Sequence, residues 1–426
     1  MEKRSFSPYT QYKESRFGNI PSNWEIRKIS QIISFFTGAT PSTINANFFD
    51  GTEPWANISD LNNGILKNTV KSLSEEGIKI ANLRISPKGS LLFSFKLSVG
   101  KVAIAGIDTF TNEAIATFCP SPKVITKYAF YAFPLFLIKN AQTNIYGAPL
   151  LNAFLIKNAR LALPPLETQH RIVTFLDQET ARIDTLVDEM ETMVTLLQEE
   201  RKTLISETVT RGIPGTHTKF KDSGIFQIDE TVEEWEIRKI SHIVDFFTGG
   251  TPPTNESSYF DGELPWANIS DLQAGELVTP NTSLSQTGVE KARIRISPAG
   301  SLLYSFKLSV GKVAINSFDT YTNEAIATFL PSPKIGAKYA FYAFPTFLIK
   351  NAKKNIYNAD LLNADLIRQA KLPLPPVAEQ QEIVQYLDIE LAKIDLLINE
   401  TLGAIALLKE ERKVLINDVV TGKLEV

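Results

Sequence analysis

The residues that could do chemistry in this 426-residue sequence fall short of the familiar catalytic motifs. Gly100-Lys101 resembles the end of a phosphate-binding loop, but Phe95 stands where that loop needs its first glycine and Val102 where it needs serine or threonine. The sequence contains no GxGxxG, GxSxG or HExxH pattern. Dinucleotide binding, serine-type acyl transfer and zinc hydrolysis therefore lack their minimal motifs.

Acidic side chains offer another route to catalysis. Asp60 and Glu113, with Asp271 and Glu324 at positions 211 residues later, could in principle hold Mg²⁺ in a nuclease. An isolated acid in a loop is more often a turn or cap residue, so we expect no metal site and no catalytic residue on this chain. The single Cys119 and three widely separated histidines also argue against a zinc module.

Length and composition indicate an ordinary folded protein. At about 150 residues per domain, the chain is long enough for two or three domains, and 43% of its residues are hydrophobic. The longest apolar stretch, residues 128–138, is well short of the roughly 20 residues that cross a bilayer, so no membrane span is expected. One cysteine and a polar N-terminal region favour a cytoplasmic protein.

An internal repeat dominates the sequence. The segment Trp24–Ser30 recurs at Trp235–Ser241, and the same offset of 211 residues then persists without an insertion. Of the 21 positions in residues 85–105, 18 are identical in residues 296–316. The two halves are therefore expected to share one fold, so that a single chain forms a pseudo-dimer.

Each half divides into a globular part and a helix. Residues 24–163 are rich in Gly, Pro, Asn, Ser and Phe and contain short alternating runs, which is typical of mixed α and β structure. Within them, residues 91–105 are predicted to form a β-hairpin with lysines at its tip. After Pro164-Pro165, the stretch from Leu166 to Arg211 contains neither glycine nor proline and is predicted to be one long helix.

Both long helices carry an apolar seam of alternating a and d positions. The predicted seam residues are Ile172, Leu176, Ile183, Met190, Leu197 and Leu204 in the first copy, and Ile383, Leu387, Ile394, Leu397, Thr401, Ala404, Leu408 and Leu415 in the second. A helix of about 40 residues is roughly 60 Å long and needs a cover for such a seam. Its natural cover is the other copy, which returns antiparallel.

The predicted fold class is α+β. Two similar mixed α/β domains are separated by an antiparallel pair of long helices in a coiled coil, with pseudo-twofold symmetry. The predicted boundaries are domain 1 at 1–165, helix 1 at 166–211, domain 2 at 212–376 and helix 2 at 377–426. Residues 167–210 and 377–421 carry a net charge of −11, and removing this from the total of −3 leaves +8 for the rest. The globular parts are mildly basic, which permits nucleic-acid binding.

The order of several short motifs resembles a known family. Trp-Glu-Ile, Thr-Gly-(Ala/Gly)-Thr-Pro, Trp-Ala-Asn-Ile-Ser-Asp-Leu, Gly-Lys-Val-Ala-Ile, Thr-Asn-Glu-Ala and (Ala/Pro)-Leu-Pro-Pro precede a long helix, and the whole series occurs twice. This arrangement is similar to the specificity subunits of Type I restriction-modification systems. One departure concerns the family's usual Glu-Gln after the prolines: the second copy keeps it as Glu379-Gln380, and the first has Thr168-Gln169. It affects only the predicted start of the first long helix.

The resemblance implies that each globular part is a target-recognition domain reading one half of a bipartite sequence in double-stranded DNA, and that the chain itself catalyses nothing. It implies two methyltransferase subunits that use S-adenosylmethionine, and restriction subunits that use ATP and Mg²⁺, with the helices as their docking surface. No cofactor is expected on this chain. Because the two domains are near-copies, whereas those of the family commonly diverge, we expect similar half-sites and a near-palindromic target.

Loops and hairpin tips are the candidate DNA contacts, because sequence reading needs side chains that reach base edges with phosphate contacts around them. Four segments qualify: the hydroxyl-rich turn after residue 36, the lysine hairpin, the Thr-Asn turn near residue 112 and the segment 146–152. The residues predicted to contact DNA are Thr37, Thr40, Ser42, Lys96, Ser98, Lys101, Asn112, Tyr146 and Asn152 in the first copy, and Thr248, Thr251, Lys307, Ser309, Lys312, Asn323, Tyr357 and Asn363 in the second. Asn112 and Asn323 could instead serve as turn residues. Trp55 and Trp266 are expected in the core.

Two other classes of function are compatible with the sequence. A DNA-free scaffold would use two similar heads on a coiled coil to gather two copies of some protein, and its binding would not depend steeply on salt. A metal-dependent nuclease would cleave DNA as an isolated chain with Mg²⁺ alone. Salt dependence and a cleavage assay separate these alternatives from DNA recognition.

Overall fold

The computed structural model describes residues 11–15, 17–143, 149–272, 275–277, 279–307, 309–354 and 360–426. The chain forms two compact units with the same set of elements. Unit 1 is built from Met1–Glu191 and Gly403–Val426, and unit 2 from Thr192–Leu402. The division falls inside both long helices, so the units cut across the predicted limits between domains and helices.

Unit 1 contains short strands and helices followed by the first part of a long helix. Its strands are β1 Tyr12–Ser15, β2 Gly18–Pro21, β3 Glu25–Lys28, β4 Phe35–Thr37, β5 Glu53–Ala56, β6 Ile65–Leu66, β7 Lys71–Leu73, β8 Leu91–Ser94, β9 Val102–Ala105, β10 Phe110–Thr111, β11 Ile115–Phe118, β12 Gln142–Thr143, β13 Pro149–Leu150 and β14 Arg160–Leu163. Its helices are α1 Ile29–Ile32, α2 Glu75–Ile80, α3 Thr126–Lys139 and α4 Ala153–Asn158, and 3₁₀ helices lie at Ala46–Phe49 and Ile58–Asp60. The long helix α5 spans Leu166–Arg211.

Unit 2 repeats this order. Its strands are β15 Phe220–Ile225, β16 Ile228–Val232, β17 Glu236–Lys239, β18 Phe246–Thr248, β19 Leu264–Ala267, β20 Gly275–Leu277, β21 Thr282–Leu284, β22 Leu302–Ser305, β23 Val313–Asn316, β24 Tyr321–Thr322, β25 Ile326–Phe329, β26 Lys353–Lys354, β27 Asp360–Leu361 and β28 Lys371–Leu374. Its helices are α6 Gln286–Ala292, α7 Ala337–Lys350 and α8 Ala364–Gln369, and 3₁₀ helices lie at Ile240–His242, Ser257–Phe260 and Ile269–Asp271. The second long helix, α9, spans Val377–Val420.

A five-stranded sheet is the centre of each unit. Its strand order is β4-β11-β8-β9-β6 in unit 1 and β18-β25-β22-β23-β20 in unit 2. Every residue of β8 and β11 is buried, as expected for apolar strands covered on both faces. The aromatic helix α3 supplies part of the cover, with the Phe118 and Phe133 rings packed edge to face at a centroid distance of 5.0 Å. Smaller sheets complete the unit in the order β10-β5-β7 and β14-β3.

The core of each unit also includes residues from the end of a long helix. In unit 1, Val419 and Val420 of α9 are fully buried in the same cluster as Trp24. In unit 2, Val209 of α5 is fully buried with Trp235. The globular part of each unit therefore packs against the C-terminal part of the helix that comes from the other repeat.

The two long helices run antiparallel within each unit. In unit 1, the Arg412 Nε lies 2.8 Å from Asp184 Oδ1 and its Nη2 lies 3.1 Å from Oδ2. The repeat-related pair in unit 2 joins Arg201 Nε to Asp395 Oδ1 at 2.9 Å. Within unit 1, Lys409 Nζ also lies 2.8 Å from Glu191 Oε1, so residue numbers rise along α5 from 184 to 191 as they fall along α9 from 412 to 409. This agrees with the predicted antiparallel pairing.

The predicted seam of α9 is wrong at two positions. Leu397 is 44% exposed, whereas Leu391 and Ile394 are buried. Farther along, Ile405 is buried rather than its predicted neighbour Ala404, which is only half-buried. Successive apolar residues of a heptad seam can be spaced by four and then three residues or by three and then four, so the pattern alone permits either set. The phase is decided by the face that meets the partner helix.

The start of each long helix is held by a glutamine. Gln169 accepts from the Ile125 amide at 2.9 Å and donates to the Pro164 carbonyl at 2.9 Å. Gln380 makes the equivalent pair in unit 2. Both helices begin at the same repeat position, so the Thr168 departure does not alter the helix start.

A tyrosine in each unit ties the long helix to the domain. The Tyr131 hydroxyl donates to Asp177 of α5, and Lys127 Nζ lies 3.2 Å from the same carboxylate. Burial raises the pKa of Tyr131 well above its usual value, and the hydrogen bond to Asp177 adds to the shift. Tyr342 and Asp388 repeat the contact in unit 2. Over the described part of the chain, no helix is long and apolar enough to span a membrane.

Candidate nucleic-acid interface

Three of the predicted DNA-contacting segments meet at one end of the central sheet. Thr37, the last residue of β4, pairs with Ala116 near the start of β11. Ser94, the last residue of β8, pairs with Ile115. Because β11 is antiparallel to both neighbours, the segments 38–42, 95–101 and 112–114 leave the sheet at the same end. Unit 2 has the same strand register.

The Thr-Gly turn is seated tightly against β10. The amides of Gly38 and Ala39 donate to the carbonyls of Ile115 and Thr111 at 3.2 and 3.0 Å. A Cβ on Gly38 would lie only 1.9 Å from the Thr111 carbonyl oxygen. Gly249 is equally confined in unit 2. Glycine is therefore required here by close backbone approach.

Trp55 braces this turn from the core side. It is buried in unit 1, and its indole Nε1 donates to the Ala39 carbonyl at 3.3 Å. In unit 2, Trp266 is buried and donates to the Gly250 carbonyl at 3.1 Å. The core placement predicted for both tryptophans is confirmed.

Several hydroxyl and amide side chains of the site form hydrogen bonds with other residues of the chain. The Thr40 hydroxyl donates to Glu113, and Thr251 donates to Glu324. Asn112 Oδ1 accepts from the Ala114 amide at 3.1 Å, and its Nδ2 donates to Asn57 Oδ1 at 3.3 Å. Asn323 makes the same two contacts in unit 2. These asparagines hold the turn in place, which was the alternative given for them from the sequence.

The acidic residues named from the sequence also accept hydrogen bonds within the protein. The Asp60 carboxylate accepts from the amides of Asn57 at 2.7 Å and Val70 at 3.2 Å, so it caps a turn. Glu113 accepts from Thr40. Among the described residues, no group of three or more His, Cys, Asp or Glu is arranged to hold a metal ion.

The lysine hairpin has the predicted form. β8 and β9 pair antiparallel, and Lys96, Ser98 and Lys101 are exposed on the connection between them. No ion pair of Lys96 or Lys101 is found among the residues that the structure describes. Lys96 Nζ lies 5.6 Å from the centroid of the buried Phe95 ring, within the range of a cation–π contact.

Unit 2 presents the same hairpin charges. Lys307, Ser309 and Lys312 are exposed, and Lys307 Nζ lies 5.6 Å from the Phe306 ring centroid. Thr37, Thr248 and Ser42 are also exposed, whereas Pro253 occupies the repeat position of Ser42. The two units therefore offer similar surfaces that differ at this hydroxyl.

The fourth predicted segment is described only in part. Tyr146 and Tyr357 lie outside the described residues. Asn152 and Asn363 are exposed N-caps of α4 and α8, and each Oδ1 accepts a helix amide at 2.8 Å. The side-chain oxygen of each asparagine is therefore used in capping its helix.

Sequence reasoning missed one arginine in each unit. Arg84 lies over the ring of Phe36, beside Thr37, with its guanidinium carbon 4.3 Å from the centroid. Arg295 lies over Phe247 at 4.2 Å in unit 2. Both arginines are exposed. A guanidinium that contacts a ring in this way can still donate to a phosphate or a guanine. The signal available in the sequence was an arginine kept at the same repeat position.

Comparison with known proteins identifies the two repeats. The family described as the Type I restriction modification DNA specificity domain matches residues 21–190 and 232–403. The chain is 24% identical to the Type I restriction enzyme MjaIX specificity subunit of Methanocaldococcus jannaschii, covering 98% of this chain and 97% of that one. It is 22% identical to the MjaVIII specificity subunit of the same organism, covering 97% of each chain.

Solved structures share the fold. One of them comes from a structure described as the structural basis underlying complex assembly and conformational transition of the type I R-M system. It superposes on this chain with a TM-score of 0.72 at 17% sequence identity, and the match covers 95% of this chain and 99% of that chain. The HsdS subunit from Thermoanaerobacter tengcongensis gives a TM-score of 0.55 at 16% identity and covers 97% and 100%. With two matching segments that span most of its length, this chain belongs to the Type I restriction modification DNA specificity family.

Proposed function

We propose that this chain is the DNA sequence-recognition subunit of a Type I restriction-modification complex, in which each unit reads one half of a bipartite target. The observation that carries the proposal is the surface at the end of each central sheet, where an exposed lysine hairpin, a close-packed Thr-Gly turn and a ring-supported arginine lie side by side. Such a surface suits a polyanion with readable base edges.

The surface suggests a division of labour among its residues. Lys96 and Lys101 carry charge without an anchored partner in the described structure, which suits phosphate contacts that set register. A two-stranded hairpin fits the major groove, which is about 12 Å wide. Arg84 and its counterpart Arg295 are suited to bidentate contacts. Asn112 and Asn323 act as positioning residues, because their amides already hold the turn.

Catalysis is assigned to partner subunits. Methylation would use S-adenosylmethionine on two methyltransferase subunits, and translocation and cleavage would use ATP and Mg²⁺ on restriction subunits. The role proposed for this chain is to bring them to the target. We expect the isolated chain to bind duplex DNA and to leave it uncut when Mg²⁺ is added.

The target is expected to be nearly palindromic. Residues 94–102 of the hairpin are identical in sequence to residues 305–313, so both units offer the same groups to a half-site. Sequencing of methylated adenines in cells that express the complex should give a motif whose second half is close to the inverted complement of its first. Two unrelated half-sites would contradict this expectation.

A segment exchange sharpens the same test. Residues 62–82 and 273–293 are the most divergent block between the repeats. If the two half-sites of the native chain differ at a base, replacing residues 273–293 by the sequence of residues 62–82 should give two half-sites with the same base at that position. Exchange of 296–315 for 85–104, which differ at only two positions, is the matched control and should leave the motif unchanged.

The long helices are proposed as the docking surface for the methyltransferase subunits. In unit 2, Leu196 of α5 is 59% exposed and Leu396 of α9 is 57% exposed. Met193, Leu397 and Leu402 in the same unit are also exposed. Several large apolar side chains on one helix pair exceed what a solvated coiled coil needs, which favours a protein partner.

Charged substitutions test this docking. Leu196→Glu combined with Leu396→Glu should abolish co-purification with the methyltransferase subunits, because burying two carboxylates in an apolar contact is strongly unfavourable. Binding of duplex DNA by the variant chain should stay at the level of the unsubstituted chain. Lys202→Glu, an exposed change on α5, is the control. Retained co-purification of the double variant would place the docking surface elsewhere.

A further inference from the structure

The tip of the unit 1 hairpin carries an unusual leucine. Leu97 lies between Lys96 and Ser98, and 91% of its surface is exposed. Its backbone has φ +59°, in the left-handed region that favours glycine. Glycine or asparagine would adopt this conformation with less strain. A large apolar side chain at this position therefore contributes little to the stability of the folded protein.

The strained conformation is fixed by the hairpin. The Gly100 amide donates to the Ser94 carbonyl at 2.9 Å, and the Lys101 amide donates to Ser94 Oγ at 3.0 Å. The Ser94 hydroxyl in turn donates to the Ser98 carbonyl. Phe95 is buried beneath the tip. These contacts hold Leu97 outward on a rigid base, as an apolar projection rather than a loose loop.

The surroundings of Leu97 indicate what the projection meets. Lys96 and Lys101 flank it with two exposed positive charges, and exposed Thr37 and Arg84 lie at the same end of the sheet. An apolar protein surface would be a poor match for this cationic frame. Stacked bases between two phosphate chains are a good match, because they present an apolar interior and an anionic edge.

We propose that Leu97 inserts between neighbouring base pairs of the target and unstacks them, with Lys96 and Lys101 holding the phosphates on either side. The proposal rests on the DNA-recognition function given above. It makes local deformability of the half-site, and not only hydrogen bonding, a determinant of specificity. Flexible pyrimidine–purine steps at the point of insertion would be preferred.

The experiment uses the full-length chain and duplexes that carry the methylated motif, with 2-aminopurine placed in turn at each step of each half-site. Stacking quenches 2-aminopurine, so insertion should raise its fluorescence at one step when the unsubstituted chain binds. Because the hairpin sequences of the two repeats are identical, the variant changes both leucines. Leu97→Gly combined with Leu308→Gly should lose this rise while the Kd changes by less than about tenfold, because both the unstacking cost and the inserted contact disappear. Leu97→Met combined with Leu308→Met, which keeps apolar side chains of similar length, should retain the rise.

The outcomes separate the two proposals. Glycine suits the backbone at this position, so Leu97→Gly should fold normally, which circular dichroism would check. DNA binding with no fluorescence rise at any step overturns the insertion, and so does a rise that persists when both leucines are replaced by glycine; both leave DNA recognition intact. Failure of the unsubstituted chain to bind its motif overturns DNA recognition as well. Lys96→Ala is the matched variant, and it should reduce affinity and salt dependence without removing the rise in the bound complex.

Discussion

Replacing Lys96, Lys101, Lys307 and Lys312 by alanine is expected to weaken binding of duplex DNA by on the order of 100-fold near physiological salt. All four lysines are exposed on the hairpin connections, so their removal takes charge from the surface without disturbing a core. Fluorescence anisotropy over a series of salt concentrations would measure the effect. The slope of log K against log salt should fall in magnitude by about four, one for each lost phosphate contact.

The matched control removes lysines from another surface. Lys409→Ala combined with Lys413→Ala takes two exposed charges from α9, and it should change neither the affinity nor the salt slope beyond a long-range effect of net charge. A DNA-free scaffold predicts that the hairpin variant and the helix variant behave alike. Equal salt slopes for the two variants would therefore contradict DNA recognition through the hairpins.

Gly38→Ala is expected to destabilise unit 1 by about 2–3 kcal/mol. The added methyl group would lie 1.9 Å from the Thr111 carbonyl oxygen and 2.4 Å from Thr111 Oγ1. Because the Thr111 backbone cannot move aside as a flexible side chain can, the turn must shift away from β10. Differential scanning calorimetry should show one transition lowered by roughly 5–10 °C. DNA affinity should fall as well, because the turn lies beside the hairpin.

Gly403→Ala is the matched glycine substitution. Gly403 lies inside α9, and a Cβ there would meet nothing within 4 Å. Alanine is the better helix former, so this variant should be more stable by about 0.5–1 kcal/mol. An unchanged transition in Gly38→Ala would mean that the turn can be displaced without cost. The close contact with Thr111 would then have no role in holding the site.

Several parts of the fold could be predicted from local pattern. The hairpin at residues 91–105 was readable because apolar strands flank a Gly-Lys turn. The long helices were readable because 46 residues from Leu166 to Arg211 contain no helix breaker. The antiparallel pairing followed from two apolar seams on one chain. The sequence did not show which apolar residues of α9 belong to its seam, because Leu397 and Ile398 are both apolar and only one of them can face the partner helix.

Parts of the candidate site were missed for a related reason. Arg84 is separated from Phe36 by 48 positions in the sequence, and only the packed structure brings its guanidinium over that ring. Asn112 looked available for base reading, but its amide donates to Asn57, which the pairing of β10 with β5 brings beside it. Such contacts depend on sheet register. Local sequence does not fix register between distant strands.

The order of residues is enough to predict two copies of one domain, each followed by a long acidic helix, because repeats, helix breakers and charges can be found in it directly. Tertiary structure alone decided which pieces form a unit. Val419 and Val420 near the C-terminus complete the core around Trp24, and Val209 completes the core around Trp235. Burial of apolar surface stabilises any arrangement in which an apolar segment reaches the core and fills the space left in it. That choice depends on packing in three dimensions rather than on distance along the chain.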